Sequence, residues 1–171
     1  MRTINKKVGM SEALTYHYFP GGKSEILETI ICEAETQRAN KVDESIKLFT
    51  EEMSLQDALN LLSIRLSENF ERNQDYYQIL IREKNNLSHD QQVFLMNTGE
   101  QFMDTLLEFL EKRMAKGEIR SMDLTMAASQ FLSHIGSIAL HQIMFGPGFI
   151  NKDYLEITQK IVDFTVELWA C

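Results

Sequence analysis

Residues 21–146 contain no proline; the chain's two prolines, Pro20 and Pro147, stand just outside that stretch. Hairpins and tight strand connections need frequent turn residues, and eight scattered glycines in 171 residues do not supply them. What the stretch does supply is apolar residues at spacings of three and four, the period of a helix with one buried face. The expected fold is all-α.

Start and stop signals divide the pattern. Ile26, Leu27, Ile30, Ile31 and Ala34 begin one stripe, which continues less clearly through Val42, Ile46 and Phe49. Ser54 reads as an N-cap with Asp57 in an acidic first turn, followed by Leu55, Ala58, Leu59, Leu62, Leu66 and Phe70. A short amphipathic piece holds Tyr76, Tyr77, Leu80 and Ile81 and stops near Asn85 and Asn86. Ser88 with Gln91 is a capping-box pattern opening a long helix, which Gly117 ends. Asp123 or Ser121 caps the next helix, Gly146-Pro147-Gly148 stops it, and Asn151 caps the last.

The last helix is apolar over more than half its circumference. Leu155, Val162, Val166 and Trp169 make one stripe; Ile157, Ile161, Phe164 and Leu168 make another. A terminal helix in so small a domain rarely buries such an arc against its own core. The surplus predicts a homodimer through a helix bundle, with Ile135, Ala139, Ile157, Ile161, Phe164 and Leu168 at the interface. The alternative is a last helix wrapped deep into its own domain.

Charge narrows the partners. Seventeen Lys and Arg against 25 Asp and Glu give −8, with pI near 5.0 and mean hydropathy −0.23. This excludes a uniformly basic coat for nucleic acid and makes disorder an unsuitable reading. The distribution is uneven, because residues 1–23 carry +3 and leave −11 on residues 24–171. A small basic head thus precedes an acidic body. No run reaches the roughly 18 uncharged apolar residues of a membrane span, and no apolar leader follows the N-terminal basic residues. Cys32 and Cys171 are read as free thiols in a reducing cytosol, so the expected location is cytoplasmic.

The head has the grammar of a helix-turn-helix. Ile4 and Val8 share a face, Gly9 makes the turn, Ser11 caps, and Ala13, Leu14 and Tyr16 to Phe19 follow. The run from Val8 through Gly9, Ser11, Tyr16, Phe19-Pro20 and Gly21-Gly22-Lys23 into Ile26-Leu27 resembles the tetracycline-repressor (TetR) family of bacterial transcription regulators. In that family a turn Gly, a capping Ser, a Tyr closing the recognition helix, an aromatic before Pro and a Lys opening the next helix recur together. The succession of helices that follows is similar to the family's ligand-binding and dimerisation domain.

The resemblance implies a helix-turn-helix and connecting helix over residues 1–39, then an antiparallel helical ligand-binding and dimerisation domain over residues 40–171. It implies that Ser11 to Tyr18 form the recognition helix, with Glu12, Ala13 and Thr15 toward base edges. Tyr16, His17 and Lys23 would hold phosphates, since a phenol, an imidazole NH and an ammonium all donate to phosphate oxygens. Two departures stand out: Asn5 occupies a position where Ala is usual, and Leu14-Thr15 replaces a polar-then-apolar pair. Aligned on Gly9, the chain also begins inside the motif's first helix, so the family's preceding bracing helix is expected to be lacking and Ile4, Val8 and Leu14 to face water.

Phe70, Tyr77, Phe94, Phe102, Met103, Phe131 and His134 form an aromatic and Met-rich set among the central helices, either a core or a pocket lining. The resemblance brings in the pocket reading, because members respond to small molecules through this domain. His134 and His141 lie seven apart on one helix face and either share a ligand or metal or are ordinary hydrogen-bonded histidines. Gly22-Lys23-Ser24 is not a P-loop, since His17 stands where the leading Gly must be and no strand precedes it. No Glu-x-x-His pair, nucleophile and base, or metal set is spaced for catalysis, so no enzyme activity, cofactor or metal is expected. The expected function is a homodimeric repressor that leaves a double-stranded operator when a small apolar effector binds. The rival is a helical ligand-binding or dimerisation module without DNA activity.

Overall fold

The computed structural model describes residues 1–47, 52–146 and 154–171. Over these the chain is helical: α1 (Arg2–Val8), α2 (Glu12–Tyr18), α3 (Lys23–Lys47), α4 (Leu55–Arg72), α5 (Gln74–Glu83), a 3-10 turn (Lys84–Asn86), α6 (His89–Ala115), α7 (Leu124–Phe145) and α8 (Tyr154–Trp169). The expected all-α class is the observed one. Phe49, Pro147, Gly148 and the expected cap Asn151 lie outside the described residues.

Local chemistry sets the helix ends. Ser54 Oγ accepts from the Asp57 amide at 3.0 Å and opens α4. Ser88 and Gln91 form a reciprocal capping box at α6, and Asp123 accepts from the Met126 amide at α7. Each such cap satisfies an amide that the first helical turn leaves without a partner, contributing about 1 kcal/mol. At the far end of α6, Glu118 N–H donates to the Arg113 carbonyl at 3.1 Å and Gly117 N–H to Met114 at 3.0 Å, which turns the chain. The buried Arg113 guanidinium pairs with Glu118 at 2.9 Å and lies 5.0 Å from the centre of the Phe109 ring.

The body's core lies where α4, α6, α7 and α8 meet. Leu59, Leu62, Leu106, Leu110, Phe131, Ile135 and Val162 are essentially excluded from water, each worth roughly 1.5–3 kcal/mol of burial for a large side chain. Ala58, Ala127 and Ala128 are buried between them, and their small side chains allow close helix approach. Buried Ser63 and Ser67 donate to carbonyls one turn back at 2.7 and 2.6 Å, so no hydroxyl is stranded on α4. Trp169 packs edge-on to Phe131, and its carbonyl accepts from Arg120 N–H at 2.9 Å. That bond ties the end of α8 to the α6–α7 connection.

Of the two apolar stripes on α8, the core takes the one containing Val162 and Trp169, together with Thr158 and Thr165. In the other stripe Ile161 and Leu168 pack against the edge of the core and are partly buried, Ile157 is half-buried, and Phe164 is 53% exposed. The long α3 packs against α6 and α4 and runs without a break across residues 39 and 40.

Candidate nucleic-acid interface and effector cleft

The head is a helix, a glycine turn and a second helix. Gly9 sits at φ +68°, the left-handed region that L side chains rarely adopt, and its backbone closes α1 onto Asn5. Ser11 then accepts from the Leu14 amide at 3.1 Å and caps α2. Glu12, Ala13, Tyr16 and His17 all lie on the exposed surface of α2. Ile4, Val8 and Leu14 are exposed as well.

Thr15 departs from its expected placement toward base edges. It is 4% exposed, and its hydroxyl hydrogen-bonds Asn5 Oδ1 at 2.9 Å beneath the turn. The two substitutions that set this head apart therefore meet each other. Asn5 is buried in α1, Thr15 faces it from α2, and a side-chain hydrogen bond joins them. In the sequence they stand ten residues apart as separate departures.

Lys23 begins α3 at the end of a loop built on Gly21 and Gly22. Gly22 has φ +66°, a conformation that L side chains rarely adopt, and lies against the Tyr16 ring, 3.3 Å from where a Cβ would stand. Gly21 N–H donates to Glu25 Oε2 at 2.7 Å, which holds the loop on the helix start. Lys23 Nζ lies 3.7 Å from Glu83 at the end of α5. The Asn86 side chain, and next the Lys23 charge, hold the Glu83 carboxyl below the usual carboxylate range. This pair connects the head to the body and was not apparent in the sequence.

A cleft of about 360 Å³ lies between α3, α4, α6 and α7. Of the sequence-selected pocket residues, Phe70 and Phe102 line it, beside Leu66, Leu95, Leu132 and Ile135. Tyr77 stands behind Phe70, with ring centres 4.8 Å apart. Phe131 and Met103 belong to the core and its edge, and Phe94 is half-buried on α6 outside the lining. His134 is exposed on the opposite side of α7, where it borders a groove with Ile157, Lys160, Ile161 and Phe164. The polar wall of the cleft escaped sequence reading: Glu35 and Asn40 on α3, Thr98 and Gln101 on α6. Glu35 is one turn after the fully buried Ile31, so its place on the inward stripe was the available signal.

The outer face of α7 and α8 combines that groove with exposed Leu140, Met144 and Phe145. Ile135 and Ala139, expected at an interface, are instead buried within the domain, while Ile157, Ile161, Phe164 and Leu168 lie at or near the surface. His141 Nδ1 is 2.7 Å from the Ser137 carbonyl. Among the described residues no His, Cys, Asp or Glu group is arranged to hold a metal ion, and no helix is long and apolar enough to cross a membrane.

A family model described as the C-terminal domain of AefR-like transcriptional repressors matches residues 65–168. No curated protein matches the chain. Among solved structures, the TetR family transcriptional regulator PfmR from Thermus thermophilus is similar with a TM-score of 0.75 and 20% identity, over 95% of this chain and 85% of that one. A bacterial regulatory protein of the tetR family from Rhodococcus gives a TM-score of 0.75 at 16% identity, over 99% and 85%. With more than half of its length matched by the family's own C-terminal domain and the all-helical fold shared throughout, the chain belongs to the TetR family of transcriptional regulators.

Proposed function

We propose that this regulator is a homodimeric repressor, acting in the cytoplasm, that a small apolar effector releases from its operator. The observation that carries the reading is the head. A short, capped helix presents Glu12, Ala13, Tyr16 and His17 outward from a segment of net charge +3, while its inward side is occupied by Thr15. Two copies would enter successive major grooves about 34–36 Å apart. Glu12 is suited to accept from a cytosine amino group and Ala13 to touch a thymine methyl. Tyr16, His17 and Lys23 supply donors for phosphates, which fix register without reading sequence. Thr15 supports this surface from below.

The partly covered stripe of α8 supports dimerisation through α7 and α8, because an apolar strip of this length is stabilised by a second copy of itself. An occupant of the cleft would favour one separation of the two heads over another, and differential affinity of about 1–3 kcal/mol is enough to release DNA. A second reading, a dimeric ligand-binding module without DNA activity, draws on the engagement of Lys23 by Glu83. Gel-shift titration on DNA from upstream of the protein's own gene separates the two. The repressor reading expects a sequence-specific shift that Tyr16→Phe and His17→Ala weaken. A dimer that binds this DNA no better than unrelated duplex supports the module instead.

A further inference from the structure

Glycine destabilises a helix interior more than any residue except proline, so its presence there calls for a reason, most often the close approach of a neighbouring element. Gly99 lies inside α6 and Gly136 inside α7, each more than two turns from either end. Close approach does not explain them. A Cβ built at either position meets no atom of the described residues within 4 Å. Yet both glycines line the same cleft. On α6, Leu95, Gly99 and Phe102 fall on one face in successive turns, so Gly99 is a gap in a ridge of large side chains. On α7, Gly136 follows Leu132 by one turn and leaves a second gap against the same space. Gly99 is exposed and Gly136 half-buried, which puts the mouth of the cleft on the Gly99 side.

We infer that Gly99 and Gly136 are the size-determining residues of the effector cleft, and that the space left by their missing side chains admits an elongated apolar molecule lying along α6. The inference rests on the reading of the cleft as the effector site. From Leu95 to Phe102 the lining follows α6 for about 10 Å of helix axis. Leu66 and Phe70 on α4 and Leu132 and Ile135 on α7 supply apolar walls beside that length. Such walls favour each methylene laid against them and fix no single orientation, so length and girth decide what fits. The limit is sharp because a close-packed wall gives way to an oversized group only by moving its neighbours. A cleft of about 360 Å³ is at the lower end of the range for small-molecule sites, where one added side chain removes a large share of the room.

The test is calorimetric titration of the full chain with the unbranched 1-alkanols from pentanol to nonanol, alongside thermal unfolding of each variant without ligand. On the unaltered chain each added methylene is expected to tighten binding roughly fourfold until the cleft is full, after which the gain stops. Gly136→Leu and Gly99→Leu are expected to move that stop to a shorter alkanol, Gly136→Leu the more strongly. Each is expected to weaken nonanol about tenfold or more while leaving pentanol within about twofold. Gly136→Ala and Gly99→Ala are expected to raise the unfolding midpoint by about 2–4 °C, because a methyl there favours the helix and meets no neighbour. They are also expected to weaken nonanol more than pentanol. Should the leucine variants fail to fold by circular dichroism, the alanine variants decide alone. Absence of alkanol binding, a length limit that ignores both glycines, or alanine variants with a lowered midpoint overturns the inference. Gel shift with octanol on DNA from upstream of the gene separates this from the effector reading. A length limit set by the glycines without release of DNA keeps the size determinants and rejects the effector site. Release of DNA by alkanols whose limit ignores both glycines does the reverse.

Discussion

The head and the body of this chain are held by different chemistry. α1 and α2 bury one residue each, Asn5 and Thr15, and these are joined by a hydrogen bond. In the body, whole faces of α4 and α7 are closed by leucines, isoleucines and Phe131. Apolar burial scales with area and tolerates no water, whereas a single polar bond is worth about 1 kcal/mol net. The difference teaches how one chain can hold a stable scaffold and still keep most of its head's side chains on the outside.

The contrast is broken or sharpened most strongly in the body. Phe131→Ala is expected to cost about 3–5 kcal/mol in thermal or denaturant unfolding. A loss below about 1 kcal/mol would mean that the ring is not closing the core. Next in size is Phe164→Glu on the outer stripe of α8, which is expected to turn a sedimenting dimer into a monomer with unchanged helicity. A variant that stays dimeric places the interface elsewhere.

In the head the effects shrink. Thr15→Val removes the donor to Asn5 and is expected to cost about 1–3 kcal/mol of local stability, visible as faster amide exchange in α2. The double change Asn5→Ala with Thr15→Val is expected to recover most of that loss, because neither partner is then left buried and unmet. Equal effects of the single and double changes would show that the pair is not what joins the helices. The smallest effect is that of Glu83→Gln, which frees Lys23 from its surface partner. Operator binding is expected to tighten roughly two- to fivefold at low salt and to converge with the unaltered chain at high salt. No change at any salt concentration would show that the head does not feel α5.

Capping was legible along the chain because it is a conversation among residues three apart. Ser54, Ser88 with Gln91, and Asp123 each open a helix where their side chains reach the first turn. The two stripes of α8 were equally legible, being a matter of angle about one axis. Their assignment was not. Whether Val162 or Phe164 faces inward depends on where α4 lies, and α4 is far away in sequence. The same holds for the candidate cleft. Phe70 and Phe102 were identified by type, while Glu35 was passed over because a glutamate in a helix usually faces water, and its hydrogen bond from Tyr76, 41 residues away, is not legible from local pattern.

The amino-acid order alone determined that this molecule is helical, where most of its helices open, and that its first segment is basic and built as two short helices about a glycine. Each of these follows from backbone geometry and charge within a few residues. The fold decided which face of each helix turns to the core, how Thr15 and Asn5 find each other, and that Lys23 meets Glu83 and Glu35 borders a cleft. Those outcomes depend on groups distant in the chain competing to exclude the same water, and no local pattern records who wins.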